Sequence, residues 1–450
     1  MREERLLSVG IDIGTSTTQC AFSALTLQNM ASSFSIPRIQ ITEKTVLYRA
    51  PLRLTPLSSP DTIDTEALKA IVLKEYQAAG ISPGDIRLGA VIITGETARK
   101  QNARNVAQAL SKLAGEFVVA TAGPALESIL AGRGSGAAEL SRSSGKAVLN
   151  LDIGGGTADL SLWLNNASHA SMECSLLLGC RQMLFDSLMD RHPREMEQDF
   201  DLDGLRDSVL QLTQLYKREG ATQRGRHKCM LLLDDLFAVH APDIRRCMAQ
   251  ARADGRITYV ESLLLFELGF LLTLAGEMLQ RAHRDKALSP LLPRRMELCI
   301  AGNGGQLFKI FSDEQLSRLC DLAMLRLDTS HPLRLLYPIQ SRHPKQEVAM
   351  GLLEQDGGLQ SAIQAADRWN GTFEGTDAPD VLADYLSAFY RLFPQAAHRL
   401  MPGAFQEDAL TAASLSELTA IRSNLQSRYP RDDFSFYVAC FVALKRLWLL

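Results

Sequence analysis

The 450-residue sequence predicts an α/β fold of two similar lobes, each built on a mixed sheet, followed by a C-terminal helical extension. Three observations carry that expectation. Leu6 to Ile13 and Ala147 to Ile153 are apolar runs that both end in Asp-Ile-Gly. The theme recurs after about 140 residues, far beyond the ~20–50 residues of a solenoid repeat, so it points to duplicated halves. Beyond about Leu353 only helical patterns remain.

Composition narrows the function classes. A chain 46% hydrophobic and 22% charged can bury a sizeable core, which excludes global disorder. Lys and Arg number 48 against 51 Asp and Glu, a net charge of −3, so general binding to nucleic acid or to an anionic membrane is not expected. The most apolar run, Leu263 to Ala275, carries Glu267 and is too short to span a bilayer; it reads as a buried core helix. Arg2, Glu3, Glu4 and Arg5 do not resemble a secretory signal. Eight scattered cysteines form no C-x-x-C pair, so zinc and dithiol chemistry are unsupported and reduced core thiols are expected.

The elements follow in order. Leu6 to Ile13 is a buried strand with Thr17 to Ser23 as its hairpin partner, and Ile41 to Ala50 is a further strand. Asp64 caps a helix that Gly80 ends. Ala90 to Thr94 and Phe117 to Ala120 are short strands around a helix from Ala98 to Leu113. Pro124 opens a helix that Gly132 closes, and the Gly/Ser-rich stretch Gly132 to Gly145 reads as a hinge. Ala147 to Ile153, Ala158 to Leu164 and Met172 to Leu178 are strands. Helices dominate Arg181 to Arg281, with the basic stretch Lys217 to Lys228 expected as an exposed loop. Leu298 to Ala301 is a strand before a short helix, Leu307 to Phe311. The last helical pattern, Phe434 to Leu450, reads as a docked helix.

Three glycine-rich turns carry the candidate chemistry. In Asp12-Ile13-Gly14-Thr15-Ser16-Thr17-Thr18, Gly14 permits a tight turn whose amides converge on an anion, while the hydroxyls add donors. The carboxylate would attract the magnesium that accompanies phosphate. Asp152-Ile153-Gly154-Gly155-Gly156-Thr157 repeats the arrangement. Three glycines after a buried strand weaken a sheet but open the backbone to a ligand. Gly302-Asn303-Gly304-Gly305 could let a base and ribose lie against the chain. An ordinary β-hairpin is the alternative at the first turn and a flexible turn at the second, and the third is a weak signal in isolation. No P-loop, dinucleotide fingerprint, nucleophile elbow or H-E-x-x-H pair is present.

Two Asp-x-Gly-Thr hairpins and a later glycine-rich turn, in this order, resemble the actin, sugar-kinase and heat-shock-chaperone ATPase superfamily. Ala122-Gly123-Pro124-Ala125-Leu126-Glu127 through Gly132, and Pro344 through Leu352, look like its two interdomain connections. Within it, residues 1 to about 164 resemble the ethanolamine ammonia-lyase reactivating factor family. The resemblance rests on Leu6 through Gln19, Ala90 through Lys100, Phe117 through Pro124, and Leu149 through Thr157. After about Leu164 it fades.

The resemblance implies a two-lobed actin-like ATPase fold: an N-terminal lobe over 1–145, a second lobe with a helical insertion over 146–355, and a helical region over 356–450. It implies a cytoplasmic, ATP- and Mg2+-dependent chaperone that loosens ethanolamine ammonia-lyase so that damaged cobalamin leaves, possible homodimerisation and association with a bacterial microcompartment being left open. No motif for cobalamin binding by the chain itself is present. Asp12 and Asp152 would face each other and hold magnesium mostly through water, and Glu127 would position or deprotonate the attacking water. Gly14 to Thr18, Gly154 to Thr157 and Gly302 to Gly305 would hold nucleotide. Ala122 to Gly136 and Pro344 to Leu353 would serve as hinges. The alternatives are an uncharacterised heat-shock-chaperone-like ATPase, a small-molecule kinase of the same fold, or a nucleotide-binding scaffold.

Overall fold

The computed structural model describes residues 3–340, apart from 15–16, 30–38, 60–61, 94–101, 112, 114–115, 122–123, 155–157, 165–172, 177–184, 285, 287–288, 293–294 and 326–333, together with residues 378–401 and 441. The expected second hinge, Pro344 to Leu353, lies outside the described residues, as does nearly all of Phe434 to Leu450.

The first sheet contains β1 (Glu3–Ile13), β2 (Thr17–Asn29), β3 (Ile39–Arg49), β4 (Arg53–Leu54), β7 (Ile86–Ile93) and β8 (Glu116–Thr121). Its order is β3-β2-β1-β7-β8, with β4 paired to β2. A small ribbon, β5 (Leu57–Ser59) with β6 (Thr62–Ile63), follows β4. The second sheet contains β9 (Ala147–Ile153), β10 (Ala158–Trp163), β11 (Glu173–Leu176), β12 (Arg295–Ala301) and β13 (Arg334–Gln340), ordered β11-β10-β9-β12-β13. Both sheets pair antiparallel on one side of the central strand and parallel on the other. The duplication expected from the sequence is therefore one of topology, strand for strand: the fold is α/β, with two mixed sheets and helices towards its C-terminal end.

Alternation along the central strands decides what each face does. Val9, Ile11 and Ile13 enter a core with Leu68, Val72 and Tyr76 of α1 (Thr65–Ala79) and Val106 and Leu110 of α2 (Ala103–Ser111). Asp64 caps α1 by accepting from the Ala67 amide at 3.0 Å, and left-handed Gly80 ends it, as expected. Ala147, Leu149, Leu151 and Ile153 likewise enter the large core of the second lobe. Asp12 and Asp152 occupy the opposite parity and so lie on the faces turned away from those cores.

The opposite face of the second sheet is covered by α3 (Pro124–Gly134) and α4 (Ala137–Ser144), where Ile129 and Ala137 pack with Val148, Trp163 and Cys299. The Gly/Ser-rich stretch read as a hinge is thus mostly helical. Gly132 does not close α3 but lies within it, because the Trp163 indole passes over that position. A Cβ there would sit 2.3 Å from Trp163 Nε1. Ser135 donates to Asn150 Oδ1 on β9 at 2.8 Å and fixes the end of α3 to the sheet.

The helical insertion comprises α5 (Pro193–Asp199), α6 (Leu205–Glu219), α7 (Gln223–Val239), α8 (Ala241–Ala253) and α9 (Tyr259–Arg284). The basic stretch Lys217 to Lys228, expected as a loop, is instead the α6–α7 corner. Thr222 caps α7, and Gly225 is needed because a Cβ would lie 2.0 Å from the Glu219 carbonyl oxygen. The run Leu263 to Ala275 is buried within α9, as the sequence suggested. This helix is long and apolar enough to cross a membrane by composition, yet its apolar stretch is buried within the fold.

After α10 (Asp313–Ala323) and β13, helices α11 (Ala378–Leu392) and α12 (Pro394–Leu400) join the same core rather than forming one of their own. Phe441 stacks on Phe270 of α9, ring centres 4.0 Å apart. Among the described cysteines, Cys20, Cys229, Cys299 and Cys320 are buried, and none of them is in a disulfide. Burial pushes the Cys320 thiol up to about 12.

Replacing Gly132 by alanine sets two effects against each other. Helix propensity favours alanine by ~1 kcal/mol. Overpacking against a buried indole costs ~1–3 kcal/mol. We expect Gly132→Ala to lower the urea midpoint, with a net loss of up to ~2 kcal/mol; a raised midpoint would show that Trp163 does not constrain α3.

Candidate functional site

The site begins with the register of two hairpins. In the first, Ile13 pairs with Thr18 and Asp12 with Gln19. In the second, Ile153 pairs with Ala158 and Asp152 with Asp159. Both turns therefore occupy the same place relative to their carboxylate. Each aspartate is one residue from the end of a central strand. Asp12 is half-buried and Asp152 is 8% exposed.

The third glycine turn reaches the second through the sheet. β12 runs parallel to β9 with Ala301 beside Asp152, so the chain leaving β12 passes the end of β9. A Cβ on Gly302 would lie 2.3 Å from Asp152 Oδ1 and 2.5 Å from the Ile153 carbonyl oxygen. One on Gly304 would lie 2.2 Å from Ile153 Cγ2. Gly302 has φ 74° and ψ 175°, a conformation essentially confined to glycine. The Gly305 amide donates to the Gly302 carbonyl at 3.1 Å and closes the turn. The following 3-10 segment, Asn303–Ile310, packs on α7 and α8.

In the first turn, the Gly14 amide donates to the Thr17 carbonyl at 2.9 Å. Thr17 is half-buried at the start of β2. Thr18 is fully buried, and its hydroxyl pairs with that of Thr55 at 3.0 Å. Thr15 and Ser16 lie outside the described residues, as do Gly155, Gly156 and Thr157; Gly154 directly follows β9. Glu127 belongs to α3, on the sheet face that bears Asp152, and its side chain lies outside the described residues, as does that of Asn303.

Two further residues belong to this architecture. Asp159 is 2% exposed directly across from Asp152, placing two carboxylates side by side on one face. Its spacing from Asp152 around a short turn was legible as a cross-strand pair. Thr55 is 4% exposed and donates to the Gly14 carbonyl at 2.8 Å, with no sequence motif to announce it.

Gly302→Ala combines a strained backbone, ~1–3 kcal/mol, with displacement of Asp152. We expect ~2–4 kcal/mol lower stability and loss of the ATP binding anticipated from the sequence, measured by denaturation and calorimetry; wild-type behaviour in both would remove Gly302 from the site.

Comparison with known proteins identifies relatives of the front of the chain. Residues 4–195 match the family model for EutA, ethanolamine utilisation protein EutA. Over 187 residues the chain is 45% identical to the ethanolamine ammonia-lyase reactivase EutA of Salmonella typhimurium (strain LT2) and to that of Escherichia coli (strain K12). Each alignment covers 42% of this chain and 40% of the relative, so it spans about two fifths of the curated relatives' length. Among solved structures, the ethanolamine utilization protein EutJ from Carboxydothermus hydrogenoformans is 13% identical, with 78% of this chain and 89% of that one covered and a TM-score of 0.31. MreB 5 of Spiroplasma citri bound to AMPPNP is 11% identical, with 80% and 98% covered and a TM-score of 0.33. Residues 4–195, which carry the first two glycine turns, are thus EutA-like in sequence.

Proposed function

We propose that this chain is an ATP-dependent reactivating factor whose client is ethanolamine ammonia-lyase. The observation that carries the reading is the register-matched pair of Asp-Ile-Gly hairpins, lying within residues 4–195 that match the EutA family model, in a chain 45% identical over 187 residues to two EutA reactivases.

The turns that follow Asp12 and Asp152 would grip phosphate oxygens from opposite lobes, with Thr15, Ser16, Thr17 and Gly154 to Thr157 supplying the donors, since the Gly14 amide is engaged by the Thr17 carbonyl. Gly302 to Gly305 would support the base and ribose. Among the described residues no three His, Cys, Asp or Glu converge on a metal position. Oxygen donors at Asp12 and Asp152 suit a hydrated magnesium carried by the phosphates, which would neutralise their charge. Hydrolysis forms a bond from a water oxygen to the γ-phosphorus and breaks the bond to the bridging oxygen of ADP. Glu127 is the group we assign to orient that water and accept its proton.

A nucleotide touching both lobes binds their closed arrangement better and shifts the population towards it. The start of α3 would be one pivot, because the rest of that helix is fixed to the second sheet through Trp163 and Asn150. Closure would then move the helical insertion against the client and allow damaged cobalamin to leave.

The test is recovery of cobalamin-inactivated lyase by this protein with ATP, magnesium and free adenosylcobalamin. We expect recovery with wild type. Asp12→Ala and Asp152→Ala should each lose ATP turnover by at least ~100-fold, with circular dichroism unchanged. Wild-type turnover in either variant would remove the aspartate assignment, and ATP turnover requiring a small alcohol would replace the reading with a kinase.

A further inference from the structure

Residues 50–59 and 62–64 form a strap on the first lobe, hydrogen-bonded at several points. The Ala50 amide donates to the Cys20 carbonyl at 2.9 Å. β4 pairs with the start of β2, matching Thr17 with Leu54 and Thr18 with Arg53. Arg53 Nε donates to Glu75 Oε1 at 2.8 Å, and the Tyr48 hydroxyl donates to Glu75 Oε2 at 2.8 Å. At the far end, Asn102 accepts from the Ile63 amide at 3.0 Å and donates to the Ile63 carbonyl at 2.8 Å. The Asp64 amide donates to the Pro56 carbonyl at 2.9 Å.

Between these anchors Thr55 reaches the first glycine turn. Its hydroxyl has one proton, donated to the Gly14 carbonyl at 2.8 Å, so the Thr18 hydroxyl is the donor in the 3.0 Å pair with Thr55. A buried relay therefore runs from Thr18 through Thr55 to Gly14. Gly14 is held at both ends, since its amide is engaged by Thr17. Held through both its amide and its carbonyl, Gly14 has a fixed orientation at the start of the turn.

We infer that Thr55 is a positioning residue for the first phosphate turn, fixing the Gly14 peptide so that the turn is preformed for a nucleotide phosphate. This rests on the nucleotide-binding reading above. Without the hydroxyl, the hydrogen bonds from Thr55 to the Gly14 carbonyl and from Thr18 to Thr55 are lost, while the side-chain volume is kept by valine. The turn must then be ordered by the ligand itself, which weakens binding.

The experiment is calorimetric titration of the full chain with Mg-ADP and with a non-hydrolysable Mg-ATP analogue. Thr55→Val is expected to raise Kd by roughly tenfold, and Thr55→Ser to restore it. Ser8→Ala is the matched control. It removes a buried hydroxyl from the 2.9 Å Ser8–Ser23 pair on the same hairpin, away from the turn. It should lower the urea midpoint about as much as Thr55→Val and leave Kd at the wild-type value. Equal binding by Thr55→Val and wild type overturns this inference alone. A parallel rise in Kd with Ser8→Ala also overturns it, by showing a general stability effect. Failure of wild type to bind either nucleotide overturns the underlying reading as well.

Discussion

The arrangement of the candidate site depends on one close approach: the chain leaving β12 passes the end of β9 with no room for a side chain. Gly302 and Gly304 lie against Asp152 and Ile153 at distances a Cβ could not share. Parallel pairing of the two strands, with Ala301 beside Asp152, forces the approach. The backbone conformation of Gly302 is one that glycine alone adopts at low cost. As a result the chain after β12 lies against Asp152 and Ile153 at the end of β9, although some 150 residues of sequence separate them.

Around that approach the two lobes play unequal parts. The first is a sheet with α1 and α2 on its core face, and the Gly14 carbonyl is held by Thr55 of the strap. The second carries the helical insertion and the C-terminal helices on one large core. There Phe266, Phe270, Tyr385, Phe389 and Phe441 join α9 to α11 and to the far end of the chain. β4 of the strap also lies against α7, and α7 packs on the segment after Gly302. The braced turn of one lobe and the glycine turn of the other are therefore joined through packed elements as well as through any shared ligand. The region beyond the EutA-like segment is thus continuous with the site's own support rather than an appendage to it.

Much of this was legible in the residues. β1, β2, β9, β10 and β12 are apolar or alternating runs next to glycine-rich turns, and the duplicated Asp-Ile-Gly announces the duplicated topology. The errors have physical causes. Gly132 looked like a helix end because its role, admitting Trp163, is tertiary and invisible to local propensity. Gly136 and Gly145, which flank α4, made a helix read as a hinge. The Lys217 to Lys228 stretch is basic because it lies at an exposed helix corner, not because it lacks structure. β13 escaped notice because it contains Pro338, which a parallel edge strand tolerates. Thr55 sits in a turn-rich stretch, and only the fold brings it to Gly14.

The central claim is that the three glycine turns make one nucleotide site. Hydrogen–deuterium exchange of the full chain, with and without saturating Mg-ADP, tests it most directly. The account predicts simultaneous protection of peptides covering residues 10–19, 149–160 and 299–306, with a common dependence on ligand concentration. Protection of only one of these segments, or of none while calorimetry shows the ligand bound, would contradict it.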